Sequence, residues 1–168
     1  MKAKISNDLT KILSEELNPL NILNNFRIEI GVWDTNFDRK DLDKKQVGVS
    51  NAQLMYIHEF GSKARNIPKR PILEKTIEWG YKRLDEYYFN RLVEGIINEG
   101  WTEYEITNCL KQLAAEMEAY CKEKTQKNEF DLTPLKPSTI KGRIKHSDVP
   151  LYDTGQLVKS IRCQVVKI

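Results

Sequence analysis

Residues 26–33 read FRIEIGVW. Phe26, Ile28 and Ile30 alternate with Arg27 and Glu29, the period-two pattern of a strand with one face buried and one wet. The far end of the chain answers it. In IRCQVVKI, residues 161–168, Ile161, Cys163 and Val165 alternate with Arg162 and Gln164. Two strands at opposite ends of a chain pair only if everything between them folds back, so these stretches frame the rest of the molecule.

Between them the period changes to that of helices. Ser50 and Gln53 form a capping box ahead of NAQLMYIHEF, and Gly61 supplies the stop. After Pro71, Leu73, Ile77, Tyr81, Leu84, Tyr88, Leu92 and Ile96 recur every three or four residues, and Gly100 ends the run. Thr102 and Glu105 form a second capping box. It leads a stripe of Ile106, Leu110, Leu113, Met117 and Tyr120/Cys121. So short a connection predicts an antiparallel hairpin of the two helices, over about residues 72–126. KPSTIKGRIK reads as a short basic helix from Pro137, and PLYDTGQLVKS as a turn into one helical turn capped by Asp153 with Gln156 at its third position. Upstream, Leu9, Ile12, Leu13 and Leu17 suit a short amphipathic helix, which Pro19 ends through its effect on Asn18. Residues 35–46 read as an exposed polar loop. The expected fold class is α+β: a small antiparallel β-sheet packed against a long antiparallel helical hairpin, with extended loops, in a single domain spanning 1–168.

The chain has 168 residues, 40% hydrophobic and 30% charged, enough to bury roughly two thirds of its unfolded surface without disulfide or metal. No apolar run approaches the length of a membrane span, and MKAKISNDLTKIL lacks the apolar centre of a signal peptide, so we expect a cytoplasmic product with no membrane partner. Cys109, Cys121 and Cys163 lack metal-site spacing. The first two lie about 18 Å apart along a predicted helix, too far to pair. The net charge of +3 is segmented. Residues 62–71 hold four bases and no acid, residues 72–135 eight bases against thirteen acids, and residues 136–168 seven bases against two acids. Two basic segments thus flank an acidic helical middle, a distribution suited to different partners on different faces.

Chemistry is scarce. His58 and Glu59 are adjacent, so on a helix they diverge by about 100° and cannot act as one pair. His146 lies in a basic loop with no ligand set around it. No nucleophile elbow and no phosphate-cradling glycine loop is present. The sequence therefore offers no catalytic, metal or cofactor site, and the expected activity is not enzymatic. Lys63, Arg65, Lys69 and Arg70, and then Lys136, Lys141, Arg143 and Lys145, suit phosphate contacts without sequence readout. They equally suit pairing with carboxylates of a neighbouring helix or subunit.

Two stretches carry a resemblance. YIHEFGSKARNIPKRPIL, residues 56–73, and PLYDTGQLVKSI, residues 150–161, with LTPLKPSTIKGRI between them, resemble the neck proteins of tailed bacteriophages, specifically the tail-completion, or head–tail joining, group. Members carry I-x-E-[FY]-G…I-P-x-R-P-F-[LI] and P-L-x-D-T-G-x-L-x-x-S-I. Here Ile72 replaces the usual phenylalanine, and the D-T-G stretch follows the E-F-G stretch, where many relatives have the reverse. The resemblance implies a structural virion protein at the head–tail interface, made in the host cytoplasm. It implies a homo-oligomeric ring, commonly hexameric, between the connector or stopper on the head side and the tail terminator or tail tube on the tail side, with double-stranded DNA passing through its lumen during ejection. Residues carried over as assembly contacts are His58, Glu59, Arg65, Pro68, Arg70, Pro71, Asp153, Thr154 and Gly155. Lys63, Lys69, Lys141, Arg143 and Lys145 are the candidates for the DNA channel. Replacing Arg65 and Arg70 by alanine is then expected to leave the subunit folded. Two other readings stand beside this one, a tail-terminator ring capping the tail tube and a basic nucleic-acid-binding module.

Overall fold

The computed structural model describes residues 18–33, 49–143 and 147–168. The expected helix at 6–17, the loop at 35–46, and Lys145 and His146 lie outside the described residues. Strand β1, Phe26–Gly31, pairs with β2, Arg162–Lys167. The Ile168 amide donates to the Asn25 carbonyl at 2.8 Å, and the Gln164 side chain donates to Glu29 at 3.1 Å. The start of one strand thus meets the end of the other, and the two-stranded sheet is antiparallel, as the alternation at the two ends of the chain predicts. Six helices accompany it among the described residues: α1 Asn51–Phe60, α2 Ile72–Arg83, α3 Phe89–Ile97, α4 Glu103–Gln126, α5 Pro137–Lys141 and α6 Gln156–Ser160. The fold is α+β and mostly helical.

The chain divides into two compact units. The first holds residues 18–29, Lys82–Ala114 and Gln164–Ile168 of those described. Pro19 belongs to this unit. It sits in the opening turn of a 3-10 helix, Asn18–Asn25, where its fixed φ fits and its missing N–H is not needed. That helix packs on α3. Tyr88, Leu92, Ile96, Ile106, Cys109, Leu110 and Leu113 are buried. Gly95 admits the Trp101 indole so closely that a Cβ at this position would lie 2.2 Å from the ring. Gly100, at φ +65°, lies between α3 and α4. Glu105 accepts from the Thr102 amide at 2.7 Å and from its hydroxyl at 2.8 Å, which is one half of the expected capping box.

The second unit holds Ile30–Tyr81 and Ala115–Cys163. Its core joins Met55, Ile72, Cys121, Phe130, Leu132, Leu151, Leu157 and Ile161. Both halves of the Ser50–Gln53 capping box form, each bond 3.1 Å. The rings of Trp79 and Tyr120 stack at 4.2 Å, and Tyr120 meets the Phe130 ring edge-on at 5.8 Å. Gly80 lies against the Met117 side chain.

One prediction about the long helical run needs correction. Before residue 84 the buried positions are Ile72, Thr76 and Gly80, while Ile77 and Tyr81 are exposed. After it they are Tyr88, Leu92 and Ile96, as predicted. Between them, Leu84–Tyr88 is a π-helical turn. A π turn holds one residue more than an α turn, so the seven-residue repeat becomes eight from Gly80 to Tyr88. Spacing counted along an unbroken α-helix therefore assigns the first half of the stripe one residue too late.

Candidate functional site

The stretch 56–73 lies within the second unit, and its charged residues are placed by its backbone. Helix α1 ends where Gly61 adopts φ +74°. A Cβ there would lie 3.0 Å from the Lys69 nitrogen, so the close return of the chain requires glycine as much as the torsion does. Ser62 and Ile67 then exchange backbone hydrogen bonds of 2.9 Å each, closing a small hairpin. Asn66, at φ 51°, makes its turn. Lys63, Ala64, Arg65 and Asn66 form an exposed tip.

Glu59 points the other way. It is 7% exposed and accepts the Leu73 amide at 3.1 Å and the Glu74 amide at 2.8 Å, capping the first turn of α2. Burial pushes its carboxyl above the ordinary value, against the opposing pull of those amides. The spacing of the E-F-G and R-P segments is thus explained: the glutamate of one caps the helix that the other begins. His58, half-buried, accepts the Arg70 amide at its carbonyl, 2.7 Å.

Arg70 is 5% exposed, and its Nε donates to the Thr133 carbonyl at 3.1 Å. Burial and the nearby Arg143 guanidinium lower its proton affinity. Arg143 in turn donates to the carbonyls of Ser147 at 2.8 Å and Val149 at 2.7 Å, holding the loop that leads into D-T-G. Asp153 lies in the field of Arg143. It does not cap α6, contrary to the sequence reading. The cap position belongs to Gly155 at φ +80°, with no side-chain cap bond. The left-handed turn at Gly155 takes the place an aspartate cap would fill, and the Tyr152 ring lies against it.

Two open depressions flank Phe60 and Lys69, which line both. The first, about 540 Å³, is lined by Lys63, Lys69 and Lys136 with Ile67, Pro68 and Thr133, and by no carboxylate. The second, about 570 Å³, has an apolar lining that includes Met55, Leu73 and Ile77, together with Glu59, Glu74 and Glu78. Lys69 pairs with Glu74 at 2.6 Å.

The carried-over residues therefore separate. Lys63, Pro68 and Lys69 meet in the basic cleft, where Lys136 joins them. Arg65 stands on the tip beside it. Glu59, Arg70 and Arg143 hold backbone inside the unit, and Pro71, ahead of α2, accepts the Lys75 amide at its carbonyl, 3.3 Å. Asp153, Thr154 and Gly155 form the approach to α6, and Lys141 ends α5, exposed. The acid-lined apolar groove was missed by sequence reasoning, because Ile77 was counted in a core stripe that the π turn displaces. No local signal in the sequence marks it, because its lining comes from separate elements. Among the described residues no group of three or more His, Cys, Asp or Glu could hold a metal ion, and no helix is long and apolar enough to cross a membrane. Burial raises the Cys121 thiol to about 11.

No protein-family model, curated protein or solved structure matches the chain.

Proposed function

We propose that the chain is a structural subunit of a tailed-phage neck, a ring-forming tail-completion protein that joins the head connector to the tail and lets double-stranded DNA pass through its lumen. One observation carries the reading. In the stretches that resemble the family, Glu59, Arg70 and Arg143 hold backbone in place, and what reaches solvent is a preformed basic hairpin beside an apolar, acid-lined groove. That is a scaffold for contacts between macromolecules. In this reading the long helices form one antiparallel pair carrying the small sheet. The Trp79–Tyr120 stack in one unit and the 3.2 Å bond from Arg91 to Gln112 in the other support it.

The lysine-lined cleft favours a second reading, a module that binds duplex nucleic acid through its phosphates. Mass photometry and negative-stain microscopy of the purified chain, alone and with isolated phage tails, separate the two. Annular particles, or a new ring on the head-proximal end of the tails, are expected. A persistent monomer that ignores tails and binds duplex DNA at low salt would replace the neck reading with the nucleic-acid module.

A further inference from the structure

We propose that the groove beside Tyr56, Phe60 and Ile77 receives the basic hairpin tip, residues 63–66, of a second copy of this chain. The inference names the self-contact of the assembly reading above and rests on it for the expectation that copies associate.

The groove is a surface in want of cover. Tyr56 and Phe60 are 66% and 65% exposed, and Ile77 is 40% exposed, beside a floor that includes buried Met55. Large apolar side chains gathered around one depression mark a contact surface. The two rings stand 4.8 Å apart, offering aromatic faces of the kind on which a guanidinium stacks. Three carboxylates, Glu59, Glu74 and Glu78, line the same groove against one cation, Lys69, which already pairs with Glu74. Glu78 makes no ion pair among the described residues, although it lies in the field of Lys69. The groove thus asks for a compact, cationic occupant with a guanidinium at its end.

The tip answers that description. Its ends are tied by the two Ser62–Ile67 backbone bonds, so little freedom remains to lose on docking. Lys63 and Arg65 carry two positive charges, and among the described residues no carboxylate pairs with either. Arg65 is the residue that stacks on the aromatic rim and meets Glu78. The occupant comes from another copy, because Lys63 and Asn66 line the basic cleft and neither lines the groove. Tip and groove are different surfaces, so each copy that gives a tip to one neighbour still has a groove for the next. Such head-to-tail contacts propagate, and they close into a ring when the rotation allows.

Charge reversal at one exposed residue on each side tests the contact in the full-length chain. Sedimentation velocity over a range of concentrations should show association of the native protein. Glu78→Lys alone and Arg65→Glu alone should each weaken it at least tenfold. An equimolar mixture of the two variants should restore it, since each then offers the charge that the other needs. Circular dichroism checks that both variants keep the native fold. A native protein that stays monomeric, association insensitive to either reversal, or a mixture that fails to recover would overturn the inference. So would an Arg65→Glu variant that loses duplex-DNA retention while associating normally, because the tip would then serve nucleic acid. Annular particles indifferent to both reversals sink this contact and leave the neck reading standing. A charge-swappable association that yields only closed dimers does the opposite.

Discussion

A buried carboxylate asked to accept two backbone amides is pulled both ways. For Glu59 burial prevails, and the carboxyl stands above its ordinary value of 4.5. A group that holds its proton more tightly folded than unfolded contributes stability that is full below the unfolded value. That contribution is lost as pH rises through the folded one. Urea midpoints of the native chain and of Glu59→Gln, taken between roughly pH 4 and pH 7, should therefore show the native advantage shrinking as pH rises. Other carboxylates titrate in both proteins and cancel in the difference. A native advantage that grew with pH would mean that the two amides outweigh burial. At this scale the sequence was legible where partners are near in the chain. The Ser50–Gln53 cap needed only a three-residue spacing. Asp153 had the same three-residue spacing to Gln156 and proved misleading, because Gly155 makes the entry through its torsion instead.

At the scale of elements, Arg70 decides how the entrance to α2 is fixed. Its guanidinium joins the segment before the helix to the Thr133 carbonyl, sixty-three residues on in the chain. That partnership has no local pattern, so the sequence could offer Arg65 and Arg70 only as equivalent members of one basic run. The structure separates them, Arg65 exposed and Arg70 buried, so the expectation that the subunit stays folded without them carries a different cost at each. Arg70→Ala removes a charge-assisted bond and empties a buried position, and should cost about 2–4 kcal/mol in unfolding free energy. Arg65→Ala, on the exposed tip, should stay within about 0.5 kcal/mol of the native chain in samples too dilute to associate. Equal losses in chemical denaturation would refute the distinction. The helical stripes show the same limit. Ile106 to Cys121 could be read directly, because α4 is unbroken over Glu103–Gln126. The stripe before it slipped by a residue, because nothing in the spacing announces a π turn.

On the scale of the whole molecule, self-association ties stability to concentration. If folded copies associate and unfolded ones do not, each association adds roughly 2.7 kcal/mol once the concentration is a hundredfold above Kd. At about 2–4 °C per kcal/mol for a chain of this size, Tm should rise by several degrees between dilute and concentrated samples. Melting curves that coincide over a hundredfold range would count against assembly by the isolated protein. Both ends of the fold were legible as a whole, since the alternation in 26–33 and 161–168 needs no knowledge of what lies between. The groove was not, since its walls come from β1, α1 and α2 and meet only in three dimensions. The π turn has a consequence for descent as well. A single inserted codon is the simplest origin for an extra residue in a helix, so a cousin lacking it would be one residue shorter between Gly80 and Tyr88. An alignment of the two would then carry a one-residue gap in mid-helix.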